Sequence, residues 1–221
     1  MAPNWKVLDS ARIAWRPGVT PYQLLLEESV PPRDSEPIHR IRIHVPGRKD
    51  FMVVDDRGPG EYVPVREAGG DSGLVPPSLP DSSRVLVLPA HGPGGTTILA
   101  VFGWAYASEP NETTLVGFDA TGYPRVLFRE NFFIDAMPDL DGDGSRELVG
   151  VTVLREMYSN CSTTYVPFAV YRIVGDSAKY DLQLSRRYNE QHYAWAGAKP
   201  TQAIEVDECT PGKFRIVQRK P

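Results

Sequence analysis

The chain has 221 residues, enough for one large domain or two small ones with a sizeable buried core. Lys and Arg number 24 against 28 Asp and Glu, a formal net charge of −4, and this balance argues against a general nucleic-acid binder. The 19 glycines and 21 prolines are spread along the chain, punctuation that suits many short strands and turns better than long helices.

The N-terminal segment "MAPNWKVLDSARIAW" (1–15) lacks the continuous apolar core of a signal peptide, so export would imply a leader already removed. In "IHRIRIHV" (38–45) strict alternation predicts a strand, with Ile41, Ile43 and Val45 on one face and Arg40, Arg42 and His44 on the other. With Arg48 and Lys49 this makes a basic strip, read first as a solvated sheet face and second as a contact for an acidic ligand. The stretch 57–84 reads mostly as a long surface loop. Within it "GGDSGL" (69–74) invites comparison with a serine-protease nucleophile, but Leu74 stands where a second glycine usually follows, and His39 and His44 sit on a plain strand. Ser72 is therefore not assigned a nucleophilic role.

Three hairpins read alike: 51–65, 115–128 and 169–184, each an apolar strand, an Asp/Gly turn, a tyrosine and a second alternating strand. Their tyrosines, Tyr62, Tyr123 and Tyr180, are spaced by about 60 residues. Placing Pro89 on Pro138 also aligns Gly95 with Gly144, Leu99 with Leu148, and the sequon asparagines Asn111 and Asn160. On this alignment repeat three carries extra residues around "REMYSNCSTTYV" (155–166). The longest apolar run, "ILAVFGWAYA" (98–107), is short of the ~20 residues a membrane helix needs. No window of eleven or more residues shows a clear 3.6 period with caps, so no long helix is predicted.

These patterns predict a single all-β domain over 1–221, a propeller-like array of four-stranded antiparallel units at about 21–66, 84–129 and 131–185, plus terminal strands. The terminal segments 5–15 and 202–218 are expected to combine into a fourth sheet; a compact β-sandwich is the alternative. Cys161 and Cys209 either form one disulfide in an oxidising compartment or are two unrelated thiols. His39, His44, His91 and His192 show no zinc spacing and are expected at surface or loop positions. The aromatic and polar stretch 186–197 suits either a sugar or protein contact or packing at a sheet edge. No residue is assigned as catalytic.

The most specific chemistry lies in Asp139-Leu-Asp-Gly-Asp-Gly-Ser-Arg-Glu147. Alternating Asp139, Asp141 and Asp143 can aim carboxylates at one centre, Gly144 permits the bend, and the Ser145 backbone carbonyl and Glu147 can add oxygens. Four carboxylates within nine residues repel one another without a cation. Calcium suits such an all-oxygen cage, and magnesium, which keeps its waters, suits it less. Position twelve is Gly150, so the loop is not an EF-hand.

The pattern Asp-x-Asp-x-Asp-Gly-x-x-Glu instead resembles the calcium loops of FG-GAP and VCBS type repeats, as in integrin alpha-chain propellers. The Phe-Gly and Gly-Ala-Pro elements of the FG-GAP repeat are missing. The corresponding loops of the other two units lack either carboxylates or the spacing, so a single ion is expected. The resemblance implies one structural calcium held by Asp139, Asp141, Asp143, Ser145 (backbone) and Glu147. It also implies a secreted, periplasmic or extracellular setting, and a binding or scaffolding role toward a protein or carbohydrate. A secreted carbohydrate-active hydrolase or lyase and an adhesion module in a larger assembly are the alternatives.

Overall fold

The computed structural model describes residues 4–30, 38–55, 66–67, 85–102, 112–152, 157–159, 162–192, 204–210 and 213–217. They form an all-β fold of four sheets with one α-helix among the described residues. Sheet I is an antiparallel meander of β1 (Asn4–Ile13), β2 (Tyr22–Val30), β3 (His39–His44) and β4 (Phe51–Asp55). Sheet II joins β5 (Arg66–Glu67), parallel to its neighbour, to the antiparallel β6 (Val85–Gly92), β7 (Thr96–Phe102), β8 (Glu112–Phe118) and β9 (Pro124–Asn131). Sheet III is ordered β10 (Phe133–Ala136), β11 (Leu148–Val151), β14 (Ala169–Val174) and β15 (Ser177–Tyr180). Sheet IV contains β12 (Met157–Ser159), β13 (Ser162–Tyr165), β16 (Ile204–Thr210) and β17 (Lys213–Val217), of which only the backbone is described.

Sheets I, II and III stack face to face in chain order, and the alternation of their strands shows why. Val85, Val87, Leu99, Val101 and Val116 of sheet II pack with Leu24, Leu26, Ile41 and Ile43 of sheet I. The intervening Leu86, Leu88, Ile98, Ala100 and Leu115 face the other way, against Phe132, Ile134, Leu148 and Ile173 on the sheet III side. A strand buried on both faces reads as a continuous apolar run. That accounts for the start of the 98–107 run without a helix or a membrane. Phe132 meets Phe128 edge-on at 5.3 Å and Tyr171 at 5.5 Å, joining the second core across the two sheets.

The alternation predicted for 38–45 holds: Ile41, Ile43 and Val45 are buried, whereas Arg40 and Arg42 are partly exposed and His44 is exposed. The 115–128 hairpin is β8–β9, and the 169–184 hairpin is β14–β15 only as far as Tyr180, since residues 182–184 are helical and not part of the expected second strand. Tyr62 and most of the 51–65 hairpin lie outside the described residues, as do Asn111, Asn160, Cys161 and nearly all of 57–84, including Ser72. The side chain of Cys209 is likewise outside them.

Three expectations are corrected. The N-terminal segment does not join the C-terminal one in a fourth sheet. It is β1, paired with β2 from Asn4↔Val30 to Ile13↔Tyr22, because a connection of only a few residues makes the local partner the available one. The C-terminal hairpin β16–β17 pairs instead with β13, from the extra segment of the third unit.

The second correction is α1 (Leu182–His192), an eleven-residue helix where sequence predicts none. Asp181 caps it, its Oδ1 accepting from the Gln183 and Leu184 amides at 2.9 Å each. The helix face against sheet III is half polar: Leu184 and Tyr188 pack on Val149 and Val170, but Ser185 and Asn189 are also buried. Ser185 Oγ accepts from Val170 N at 2.9 Å, and the Asn189 side chain bonds both Phe168 N and Phe168 O at 2.8 Å. These groups complete the backbone bonding at Phe168 and Val170, beyond the cover of β15, so an apolar period fails to reveal the helix.

The third correction concerns two histidines. His39, 3% exposed, and His91, 8% exposed, are buried strand residues, where surface or loop positions are expected.

Gly150 is the tightest backbone approach in sheet III. A Cβ there would lie 2.1 Å from Phe133 O and 2.6 Å from the Phe132 ring. Gly150→Ala should destabilise the fold by about 1–3 kcal/mol, measured as a fall in the urea midpoint with unchanged slope.

Candidate functional site

The acidic loop joins β10 to β11, and its carboxylates fold it before they do anything else. Asp139 accepts from Gly142 N (2.7 Å) and Gly144 N (3.1 Å), Asp141 from Asp143 N (3.2 Å), and Asp143 from Ser145 N (2.7 Å). Gly144, at φ +83°, takes a left-handed turn that an L side chain rarely adopts. Gly95, its counterpart in the β6–β7 connection, does the same at φ +71°, in keeping with the alignment of the two loops. The loop is fixed to its surroundings by Glu147 N donating to Pro138 O at 2.8 Å and by Arg146 N donating to His91 O at 3.4 Å.

Asp139, Asp141 and Glu147 each place a carboxylate oxygen within 4.8 Å of the others. Two oxygens bound at 2.3–2.6 Å across one calcium lie at most about 5 Å apart, so this spacing fits a calcium shell. Glu147 is 2% exposed; its Oε2 accepts from Leu140 N at 2.6 Å. Burial, then the charges of Asp141, Asp143 and Asp139, push its carboxyl above the ordinary range, against the pull of the Leu140 amide. A divalent cation at the centre would reverse that balance. The structure brings together three of the predicted side chains. Asp143 stands outside the group, exposed and turned to the Ser145 amide, and Ser145 is half-buried.

Sequence reading missed Arg172. It lies on β14, on the same face as Val170, and its guanidinium pairs with Asp141 Oδ2. Its Nε lies 3.2 Å from Asp181 Oδ2 but is not aligned to donate a hydrogen bond to it. One cation therefore stands between the acidic loop and the cap of α1. Its signal in the sequence is an arginine inside the apolar strand "AVYRIV".

The predicted basic strip is neutralised from within sheet I. Glu27 lies directly across from Arg40 and is 2% exposed. It accepts from Arg40 Nε at 2.6 Å and from Arg42 Nη2 at 2.7 Å. Asp50 takes Arg42 Nη1 at 3.1 Å and lies 2.8 Å from His44 Nδ1. The Trp5 ring lies 3.7 Å under the Arg40 guanidinium. Burial works to raise the Glu27 carboxyl, but the hydrogen bonds from Arg42 and Arg40 outweigh it and hold it below its usual range. This face is a structural charge ladder more than an open anion-binding strip. His91 is held below its ordinary value mainly by burial, with its Nδ1 2.7 Å from Pro89 O.

Against known proteins, the chain matches no family model, no curated protein and no solved structure.

Glu27→Gln should lower stability at neutral pH by about 1–3 kcal/mol, since it removes the charge that both guanidiniums share. The folded carboxyl is depressed, so its contribution is present above the unfolded value and lost as pH falls through the folded one. The gap between wild type and variant in urea titrations should therefore close in acid. Arg172→Gln should lower stability by about 1 kcal/mol in metal-free buffer at low salt, and by less at high salt, because the pair is partly exposed. An equal loss at both salt concentrations would contradict the ion-pair account.

Proposed function

We propose that the chain is an exported, calcium-stabilised β-repeat module that binds or scaffolds a partner and does not turn over a substrate. The observation that carries this reading is the convergence of Asp139, Asp141 and Glu147 on one centre, a hard-oxygen donor set suited to calcium. In it, Asp139, Asp141 and Glu147 hold the ion, and Asp143 and the Ser145 carbonyl complete the shell when the loop closes on it. The ion's task is architectural: it pins the β10–β11 connection and relieves the repulsion among the acidic groups. All the donors come from one loop, as the resemblance to FG-GAP and VCBS type calcium loops implies.

The face-to-face succession of sheets I, II and III supports a propeller-like array, with each sheet as one unit. The extracellular or periplasmic setting rests on the loop resemblance and on the abundance of calcium there. Among the described residues no helix is long and apolar enough to cross a membrane.

The hydrolase alternative needs carboxylates that are free to exchange protons away from the acidic loop. Glu27, Asp50, Glu112 and Asp119 are each engaged by an arginine, which counts against these four in that role.

Calcium should raise the melting temperature of the metal-free protein, with a stabilisation of about 2.7 kcal/mol at a hundredfold excess over Kd. Asp141→Ala, or excess chelator, should abolish the gain. Melting curves that do not move with calcium in the wild type would overturn the proposal.

A further inference from the structure

A cleft of about 720 Å³ opens where the β1–β2, β6–β7, β8–β9 and β14–β15 connections meet. That volume is in the range of small-molecule sites. Its floor is apolar, from Phe118 and Leu127, and its rim carries Arg16, Arg125, Asp119 and Asp176.

The rim charges are not equivalent. Asp119 is fully engaged: its Oδ1 accepts from Thr121 N, Thr121 Oγ1 and Tyr123 N, and its Oδ2 from Arg125 Nε at 3.0 Å. The Thr121 hydroxyl leads the groups that hold its carboxyl far below the usual range, so it stays ionised. Arg125 is thereby held through Nε on Asp119.

Arg16 has no carboxylate partner among the described residues. Its guanidinium lies 4.4 Å over the Trp15 ring. The same indole is packed against Gly122, where a Cβ would come within 2.7 Å of Nε1. The turn itself is pinned to sheet II, with Thr97 N donating to Trp15 O at 2.8 Å and Thr97 Oγ1 to Ala14 O at 2.6 Å. A planar guanidinium is thus held over an aromatic ring, its N–H donors without acceptors among the described residues, at the edge of an apolar-floored cleft. Such a group is a preorganised fork for an oxyanion.

We propose that this cleft binds a small ligand bearing a single carboxylate on a ring, with the carboxylate on Arg16 and the ring against Phe118 and Leu127. The two aspartates on the rim disfavour a dianion, so a carboxylate is preferred to a phosphate monoester. The proposal deepens the binding-module reading by naming a ligand class, and it requires no ion at the acidic loop.

Isothermal titration calorimetry on the full chain tests it with glucuronate and cyclohexanecarboxylate, against glucose and glucose 6-phosphate. At least one of the two carboxylates should bind, and whichever binds tells a sugar acid from a hydrocarbon acid. Glucose should not bind, and glucose 6-phosphate should bind more weakly than the carboxylate. Arg16→Gln should weaken carboxylate binding by roughly tenfold or more, the loss expected for one charge-assisted contact. Its melting temperature should stay unchanged, because Arg16 is exposed. Absence of binding by both carboxylates, undiminished binding in Arg16→Gln, or tighter binding of glucose 6-phosphate would each overturn the proposal. Asp141→Ala, which tests the calcium loop, should leave carboxylate binding intact, so the two readings fail separately.

Discussion

The inner strands of the middle sheet are buried on both faces, and most of the architecture follows from that. Residues at odd and even positions of β6, β7 and β8 are divided between two cores, one shared with sheet I and one with sheet III. Neither face of the inner strands β7 and β8 is left to water, so the neighbouring sheets must lie on opposite sides of sheet II. The same stacking brings the strand connections of all three sheets into proximity. Trp15 is joined to β7, the acidic loop reaches the His91 carbonyl, and the β8–β9 turn closes on Trp15.

On the outer face of sheet I and at the acidic loop, the fold manages charge. Glu27 lies between two arginines on the outer side of sheet I, and Arg172 stands between the acidic loop and the cap of α1. In both places a group that burial or repulsion would penalise is compensated by a partner from another strand. The acidic loop differs in carrying four carboxylates, with Arg172 paired to Asp141 and with Glu147 buried beside three aspartates. That concentration of acidic groups makes it a candidate for a divalent cation, whereas the sheet I ladder is already complete. Arg16 is the reverse case, an exposed cation with no anion among the described residues, held on an aromatic ring.

Strand alternation was legible wherever one period decided the burial, as in 38–45, and the two later hairpins were legible from their turn residues. The helix was not, because two of its four buried residues, Ser185 and Asn189, serve the backbone of Val170 and of Phe168 just before β14, and break the apolar period. The partner of the C-terminal hairpin was equally hidden: antiparallel pairing uses backbone groups that every residue carries, so pattern alone does not choose between β1 and β13.

By itself the sequence determined the period-two alternation, the turn positions and a loop rich in carboxylates, because each depends on residues close together in the chain. The tertiary structure decided which three of the four loop carboxylates converge, which arginine compensates them, and where an aromatic-backed guanidinium meets an apolar floor. Those outcomes depend on Arg172 meeting Asp141 and on Trp15 meeting Gly122, contacts between residues far apart in sequence, the first made when β11 pairs with β14 and the second when sheets I and II come together.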